Sequence, residues 1–171
     1  MQPPPPTATG ADAEQFRRVV GRFATGITVV TTVADGIDHA MTMNAFTSVS
    51  LEPLLVLFCV EKVARFHDVV LVADTWAVSL LGAGAEETSR RFALRGRPIE
   101  GQLDGCDYRR GPRTGAAIFA GAIGSLECRT HAVHDGGDHT IVIGEVLGVD
   151  TPADGEPLIY HAGRYRTLSS G

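Results

Sequence analysis

The segment that most restricts how this chain folds is Leu54-Leu55-Val56-Leu57-Phe58-Cys59-Val60. Alternate side chains of a strand point to opposite sides, so an unbroken apolar run makes both faces apolar. It predicts a central strand, covered on each side. The surrounding pattern is also rich in strands. Ile27–Val33 is β-branched, and Asp35-Gly36 is a strong hairpin signal leading into a second strand. Trp76–Leu81 and Ser125–Val133 read as further strands, with Trp76 most simply in the core. Asp135-Gly136-Gly137 predicts a turn, and His139–Val149 a long strand whose Gly144 marks a bulge or bend. Leu158–His161 and Tyr165–Leu168 read as a closing pair around Ala162-Gly163.

Three helices interrupt these strands. Asp12 and Gln15 resemble a capping box, and Phe16, Val19, Val20 and Phe23 recur at helical spacing. Residues 12–24 therefore read as an amphipathic helix stopped at Gly26. Phe66, Val69, Val70 and Ala73 mark a second helix and Glu86–Leu94 a third, followed by an extended loop over 95–115. The short connections make most strands antiparallel, and no GxGxxG follows a strand, which argues against a doubly wound nucleotide-binding sheet. The expected fold is mainly β with inserted helices, a Greek-key barrel. Long, partly polar strands in so small a barrel predict a homodimer that completes the core.

A length of 171 residues fits one domain, spanning 12–168, with a disordered Pro-rich leader at 1–11 and a short tail at 169–171. Met1-Gln2-Pro3-Pro4-Pro5-Pro6-Thr7 lacks the basic start and apolar core of a signal peptide, and no run is long enough for a membrane span. The expected location is the cytoplasm, with no membrane partner. The formal net charge of −5 argues against nucleic acid as the main partner. Cys59, Cys106 and Cys128 form no CxxC pair and read as reduced thiols. His131, His134 and His139 fit no common zinc spacing, so no metal is expected.

Two features stand out as candidate chemistry. Met41-Thr42-Met43-Asn44-Ala45-Phe46-Thr47-Ser48-Val49-Ser50 carries four hydroxyls and one carboxamide among small residues, without a charge. It reads equally as a groove for a flat, polar, anionic ligand or as an ordinary Ser/Thr turn. Arg90, Arg91, Arg95 and Arg97, with Arg109, Arg110 and Arg113 beyond, read either as a solvated helix face and basic loop or as a landing site for phosphates.

Four segments in order then resemble one family. Phe16-Arg17-Arg18-Val19-Val20-Gly21-Arg22-Phe23-Ala24-Thr25-Gly26-Ile27-Thr28-Val29-Val30-Thr31 resembles the opening of the short-chain flavin reductases, the reductase components of two-component flavin-dependent monooxygenases and halogenases. Thr42–Ser50 is similar to that family's flavin-binding segment. Gly137-Asp138-His139-Thr140-Ile141-Val142-Ile143-Gly144-Glu145-Val146 and Leu158-Ile159-Tyr160-His161-Ala162-Gly163-Arg164-Tyr165-Arg166 resemble its two C-terminal signatures. Together they cover residues 12–168.

The resemblance implies a split β-barrel of the FMN-binding type, a homodimer, and hydride transfer from NADH or NADPH to FAD or FMN. Reduced flavin would then diffuse to a separate oxygenase or halogenase. By position, Thr42, Met43, Asn44, Ala45 and Phe46 line the isoalloxazine, and Ser48 and Ser50 serve the ribityl chain or phosphate. Cys59, Lys62, Arg65 and Phe66 continue the flavin site, and Arg91-Phe92 is a further contact. His139 positions the nicotinamide, with His161, Arg164 and Tyr165 flanking it or its phosphate. Relatives commonly carry hydroxyls where Val63 and Phe66 stand here, a loss of very roughly 1 kcal/mol per neutral hydrogen bond to the phosphate. Phe66 is instead free to stack on an aromatic ring. Hydride transfer needs stacked rings and no obligatory protein acid or base, so neither a triad nor a metal is expected. Two other readings remain open: a flavin carrier without meaningful NAD(P)H turnover, and a split-barrel oxidase acting on a small substrate such as a pyridoxine phosphate.

Overall fold

The structure, a computed structural model, describes residues 12–152 and 154–168. The elements follow in chain order. Helix α1 (Ala13–Val20) and strands β1 (Thr25–Gly26), β2 (Thr28–Ala34), β3 (Ile37–Met43), β4 (Phe46–Leu51) and β5 (Leu54–Glu61) come first. Next are α2 (Arg65–Ala73), β6 (Thr75–Leu81), a 3-10 turn at Ala83–Ala85, and α3 (Glu86–Ala93). The chain ends with β7 (Tyr108–Arg110), β8 (Ala117–Phe119), β9 (Ala122–Gly136), β10 (His139–Asp150), β11 (Ile159–His161) and β12 (Arg164–Arg166). The expected leader and tail lie outside the described residues.

The fold is mainly β with inserted helices, as expected. Seven strands form one antiparallel sheet in the order β3-β2-β6-β9-β10-β5-β4. Strands β3 and β4 are its two edges and share no ladder, so the pairings leave the sheet open rather than closing a barrel. β1, β11 and β12 form a small second sheet. The β2–β3 hairpin turns at Asp35-Gly36, both at positive φ (51° and 74°), the primed-turn geometry that this dipeptide favours.

The core lies on both faces of the large sheet: Val30 and Val78 join one buried cluster, while their neighbours Val29 and Ala77 point to the other side and join two more. Trp76 and Phe58 are fully buried and meet edge to face, with ring centroids 4.9 Å apart. The Trp76 indole N–H donates to Thr130 Oγ1 at 3.2 Å. Gly144 sits at a register shift in β10, where a Cβ would come within 2.2 Å of the Trp76 ring. The expected bend is therefore a place where backbone and indole touch.

Four expectations need correction. β5 is not central but second from the edge. Val56, Phe58 and Val60 face the core, whereas Leu55, Leu57 and Cys59 on the other side are half-buried. Helix α1 ends at Val20, with Gly21 as C-cap, because the Gly21 N–H already closes onto Arg17 O. None of its residues is buried, and Phe16, Val19 and Phe23 are 64%, 69% and 77% exposed. The loop over 95–115 contains β7, paired with β8. Finally, β9 runs through Gly136, so the turn lies at Gly137-Asp138, where Gly137 takes positive φ.

Candidate functional site

β3 delivers its residues toward a corner at Asn44-Ala45, from which β4 starts back along β5. The Cys59 N–H donates to Ala45 O at 3.0 Å and ties the corner to β5. Asn44, Ala45 and Ser48 are exposed there, Phe46 is half-buried against the core, and Met43 is in the core. The Thr42 hydroxyl does not face a groove: it donates to Ser89 O on α3 at 2.7 Å. Ser50 is a local capper, its hydroxyl accepting from the Glu52 N–H at 3.2 Å. Burial pushes the Cys59 thiol above its usual pKa, consistent with a packing residue.

Beside β3 lies a pocket of about 330 Å³. Its walls are His39–Met41 of β3, Glu61 at the end of β5, Val63–Phe66 entering α2, and Phe92–Arg97 with Gln102 beyond α3. Residue 64, at the N-cap of α2, is an alanine, so no side chain caps the first-turn N–H groups. Such a helix start favours anions.

Arginines dominate the wall. Arg65 Nη1 donates to Arg97 O at 2.7 Å. Arg97 spans the site, donating from Nη1 to Phe92 O at 2.9 Å and from Nη2 to Ala40 O at 2.7 Å. Arg95 pairs with Glu61 at 2.5 Å. Arg65 and Arg97 have no carboxylate within ion-pair distance among the described residues. Burial, with Arg65 and Arg91 nearby, lowers the Arg97 pKa. Burial, with Arg65 adding to it, likewise lowers that of His39. The Arg97 Nε and the Gln102 Oε1 are buried and have no hydrogen-bond partner among the described residues. Surplus positive charge and unmatched buried polar atoms together fit an anionic polar ligand.

Several expected contacts are structural instead. Phe66 is 6% and Phe92 1% exposed; both edge the pocket from within hydrophobic clusters, so Phe66 is not free to stack on a ligand ring. Arg91 Nη2 donates to Gln102 O at 2.7 Å and Asp104 O at 2.9 Å, clasping the following loop rather than a phosphate.

His139 opens β10 directly opposite Glu61, placing it one ladder step from the pocket rim. Its Nδ1 lies 2.7 Å from Asp138 Oδ1, an interaction that holds the Asp138 pKa low. Lys62, expected at the flavin, instead pairs with Asp135 across the neighbouring turn and lowers its pKa. The β11–β12 hairpin lies on the far side of α3. There Tyr165 Oη is 2.9 Å from Ser89 Oγ, and the Arg90 guanidinium sits 4.6 Å from the Tyr165 ring centroid. Ser89, fully buried, thus links Thr42 through its carbonyl to Tyr165 through its hydroxyl. His161 is half-buried and Arg164 exposed on that hairpin.

Sequence reasoning missed His39 and Gln102 and did not separate Arg97 from its neighbours. The basic run 90–97 and the family resemblance at Arg65, Phe66 and Phe92 point toward this wall. No group of three or more potential metal ligands exists among the described residues.

An open β-sheet with a cationic pocket beside a polar strand corner is the frame of a flavin-handling protein, and the comparisons make the class definite. The chain belongs to the flavin reductase like domain family, which matches residues 20–169. It is 44% identical over 170 residues to an NADH-dependent FAD reductase of Streptomyces globisporus, spanning 99% of this chain and 93% of that one. It is 33% identical to the reductase subunit HsaB of a flavin-dependent monooxygenase from Rhodococcus jostii, over 92% of this chain and 79% of the relative. Among solved structures, it resembles BorF, the flavin reductase component of a bacterial two-component tryptophan halogenase. The TM-score is 0.88 at 40% identity, covering 94% of this chain and all of that one.

Proposed function

We propose that this protein is an NAD(P)H:flavin oxidoreductase that reduces FAD or FMN and supplies reduced flavin to a separate monooxygenase or halogenase. The observation that carries this reading is the pocket beside β3, where Arg65 and Arg97 have no acidic partner and the α2 N-terminus has no side-chain cap. Its position fits a flavin whose ring lies at the Thr42–Phe46 corner and whose phosphate end enters the pocket. When bound, the flavin supplies the ring that accepts hydride from the nicotinamide. The chain aligns and desolvates the two partners. Asn44 and backbone groups of the corner orient the polar edge of the ring. Arg65, Arg97 and the α2 N-terminus hold phosphate, and Ser48 lies along the approach. His139, steadied by Asp138, positions the nicotinamide at the rim. Arg164 and His161 on the β11–β12 hairpin meet the nucleotide's charged portion. Ser89 couples the two halves by holding Thr42 and Tyr165 at once.

The gap between β3 and β4 is the opening of a split barrel in this reading. A second copy of the chain covers what the protomer leaves bare: Leu51 (86% exposed), the outer face of β5, and the apolar stripe of α1. An eight-residue helix with no buried side chain is marginal by itself, which favours a packing partner. Sedimentation should therefore give a dimer mass. The location is the cytoplasm, and no described helix is long and apolar enough to cross a membrane.

The function is tested by NADH and NADPH oxidation with FAD and FMN titrated separately. Saturable turnover with at least one pair is expected. Flavin binding without turnover for any pair would replace the reductase reading with a carrier.

A further inference from the structure

Gln102 ends in a buried polar atom that the described residues leave without a partner. It is 6% exposed, it lines the pocket beside β3, and its buried Oε1 accepts no hydrogen bond among the described residues. Leaving a buried amide oxygen without a donor is costly, so buried polar atoms are nearly always hydrogen-bonded. The backbone of the same residue is firmly held, because its carbonyl accepts from Arg91 Nη2 at 2.7 Å. The side chain is therefore set in place while its amide is left over.

The volume also exceeds what one phosphate needs. About 330 Å³ lies within the range of sites that enclose whole small molecules. Its walls pair the cations Arg65 and Arg97 with apolar Met41, Val63 and Leu94. That mixture suits a phosphate joined to a flat heterocycle. A glutamine carboxamide offers one acceptor and one donor side by side, the complement of the amino and ring-nitrogen edge of adenine.

We infer that this pocket takes the adenylate end of the flavin, and that Gln102 selects FAD over FMN by reading the adenine edge. The inference rests on the flavin site proposed above and adds which flavin the site prefers. Arg97 takes part from the same wall, its unbonded Nε facing phosphate oxygen once the nucleotide is seated.

The test is calorimetric titration of the full-length protein with FAD, FMN and AMP, for the wild type and for Gln102→Leu, with thermal melting as the folding control. The wild type should bind FAD at least tenfold more tightly than FMN, and AMP should compete with FAD. In Gln102→Leu the FAD-to-FMN ratio should fall about tenfold, the scale of one lost hydrogen bond that leaves a buried partner unmatched. Equal wild-type affinities, an unchanged ratio in the variant, or AMP that does not compete would each overturn the inference. If the variant does not fold, the wild-type ratio and the AMP competition decide alone. The reductase reading fails separately. NADH oxidation without a FAD preference keeps it and sinks the role of Gln102, while Gln102-dependent FAD binding without NADH oxidation does the reverse.

Discussion

The floor of the sheet and the pocket beside β3 treat buried polar groups in opposite ways. Along β2 three buried hydroxyls each have a backbone partner. Thr28 donates to Met43 O at 2.9 Å, Thr31 to Ala117 O at 2.6 Å, and Thr32 to Thr75 O at 2.7 Å. Even the buried carboxylate Glu127 is matched, its Oε2 accepting from the Arg113 N–H, the Thr114 N–H and the Thr114 hydroxyl at 2.7–2.9 Å. In the pocket, by contrast, cations face one another, and Arg97 Nε and Gln102 Oε1 are left over. The three threonines and Glu127 are matched within the chain, whereas the pocket leaves two buried polar atoms without a partner among the described residues. An unmatched buried group lowers stability, so the two regions differ in what each contributes to folding.

Breaking the floor should have the largest effect. Gly144→Val places its branched side chain where even a single Cβ would meet the Trp76 ring at 2.2 Å. Neither the indole nor the β10 backbone has room to retreat, so the loss should reach or exceed about 3 kcal/mol. A urea midpoint near that of the wild type would show that the contact is soft.

Breaking the pocket should leave stability alone and remove affinity. Arg65 is exposed apart from its bond to Arg97 O. Arg65→Ala should weaken flavin binding at least tenfold, since a hydrogen bond to a charged group is worth about 1.5–3 kcal/mol. The midpoint in urea should move by less than about 0.5 kcal/mol, as for most surface substitutions. Fluorescence titration reads the first quantity and denaturation the second; the opposite pattern would assign Arg65 to the fold.

The rim separates the two substrates. His139→Ala should raise the NAD(P)H KM about fivefold, the worth of one modest hydrogen bond of about 1 kcal/mol, with flavin affinity nearly unchanged. An unaltered KM would remove His139 from the nicotinamide site.

The same contrast explains what was legible in the sequence. The hairpin at Asp35-Gly36, the Gly144 bend and the apolar strand Leu54–Val60 were readable because each is set by local backbone or period-2 chemistry. The unbroken apolar run points to a central strand, whereas β5 lies next to the edge strand β4 with Leu55, Leu57 and Cys59 half-buried on its outer face. The apolar periodicity overruns helix α1 because Phe23 continues the stripe after Gly21 has already capped the helix, and none of the helix's residues is buried. At the candidate site, the family resemblance points to Asn44, which is exposed at the strand corner, and Arg65, which lines the pocket. Phe66, Phe92 and Thr42 were assigned to the ligand although packing and Ser89 claim them. Gln102 and His39 left no signal, since an isolated polar residue shows its isolation only once the chain has folded around it.

His39 offers the finest test of the comparison, and the smallest expected effect. Only 8% exposed and near Arg65, it titrates below the ordinary histidine value of 6.5. Between its folded pKa and 6.5 the unfolded chain binds more protons than the native one, so stability rises with pH across that window. The contribution is fully present above 6.5 and is lost as pH falls through the folded pKa. His39→Gln, neutral throughout, should lack that slope while other histidines keep theirs. Urea midpoints of both proteins, measured from pH 7.5 to pH 5, should therefore converge or cross toward the acid end. Parallel curves would mean that His39 senses solvent rather than the cationic wall, and would place the boundary between floor and pocket on the other side of β3.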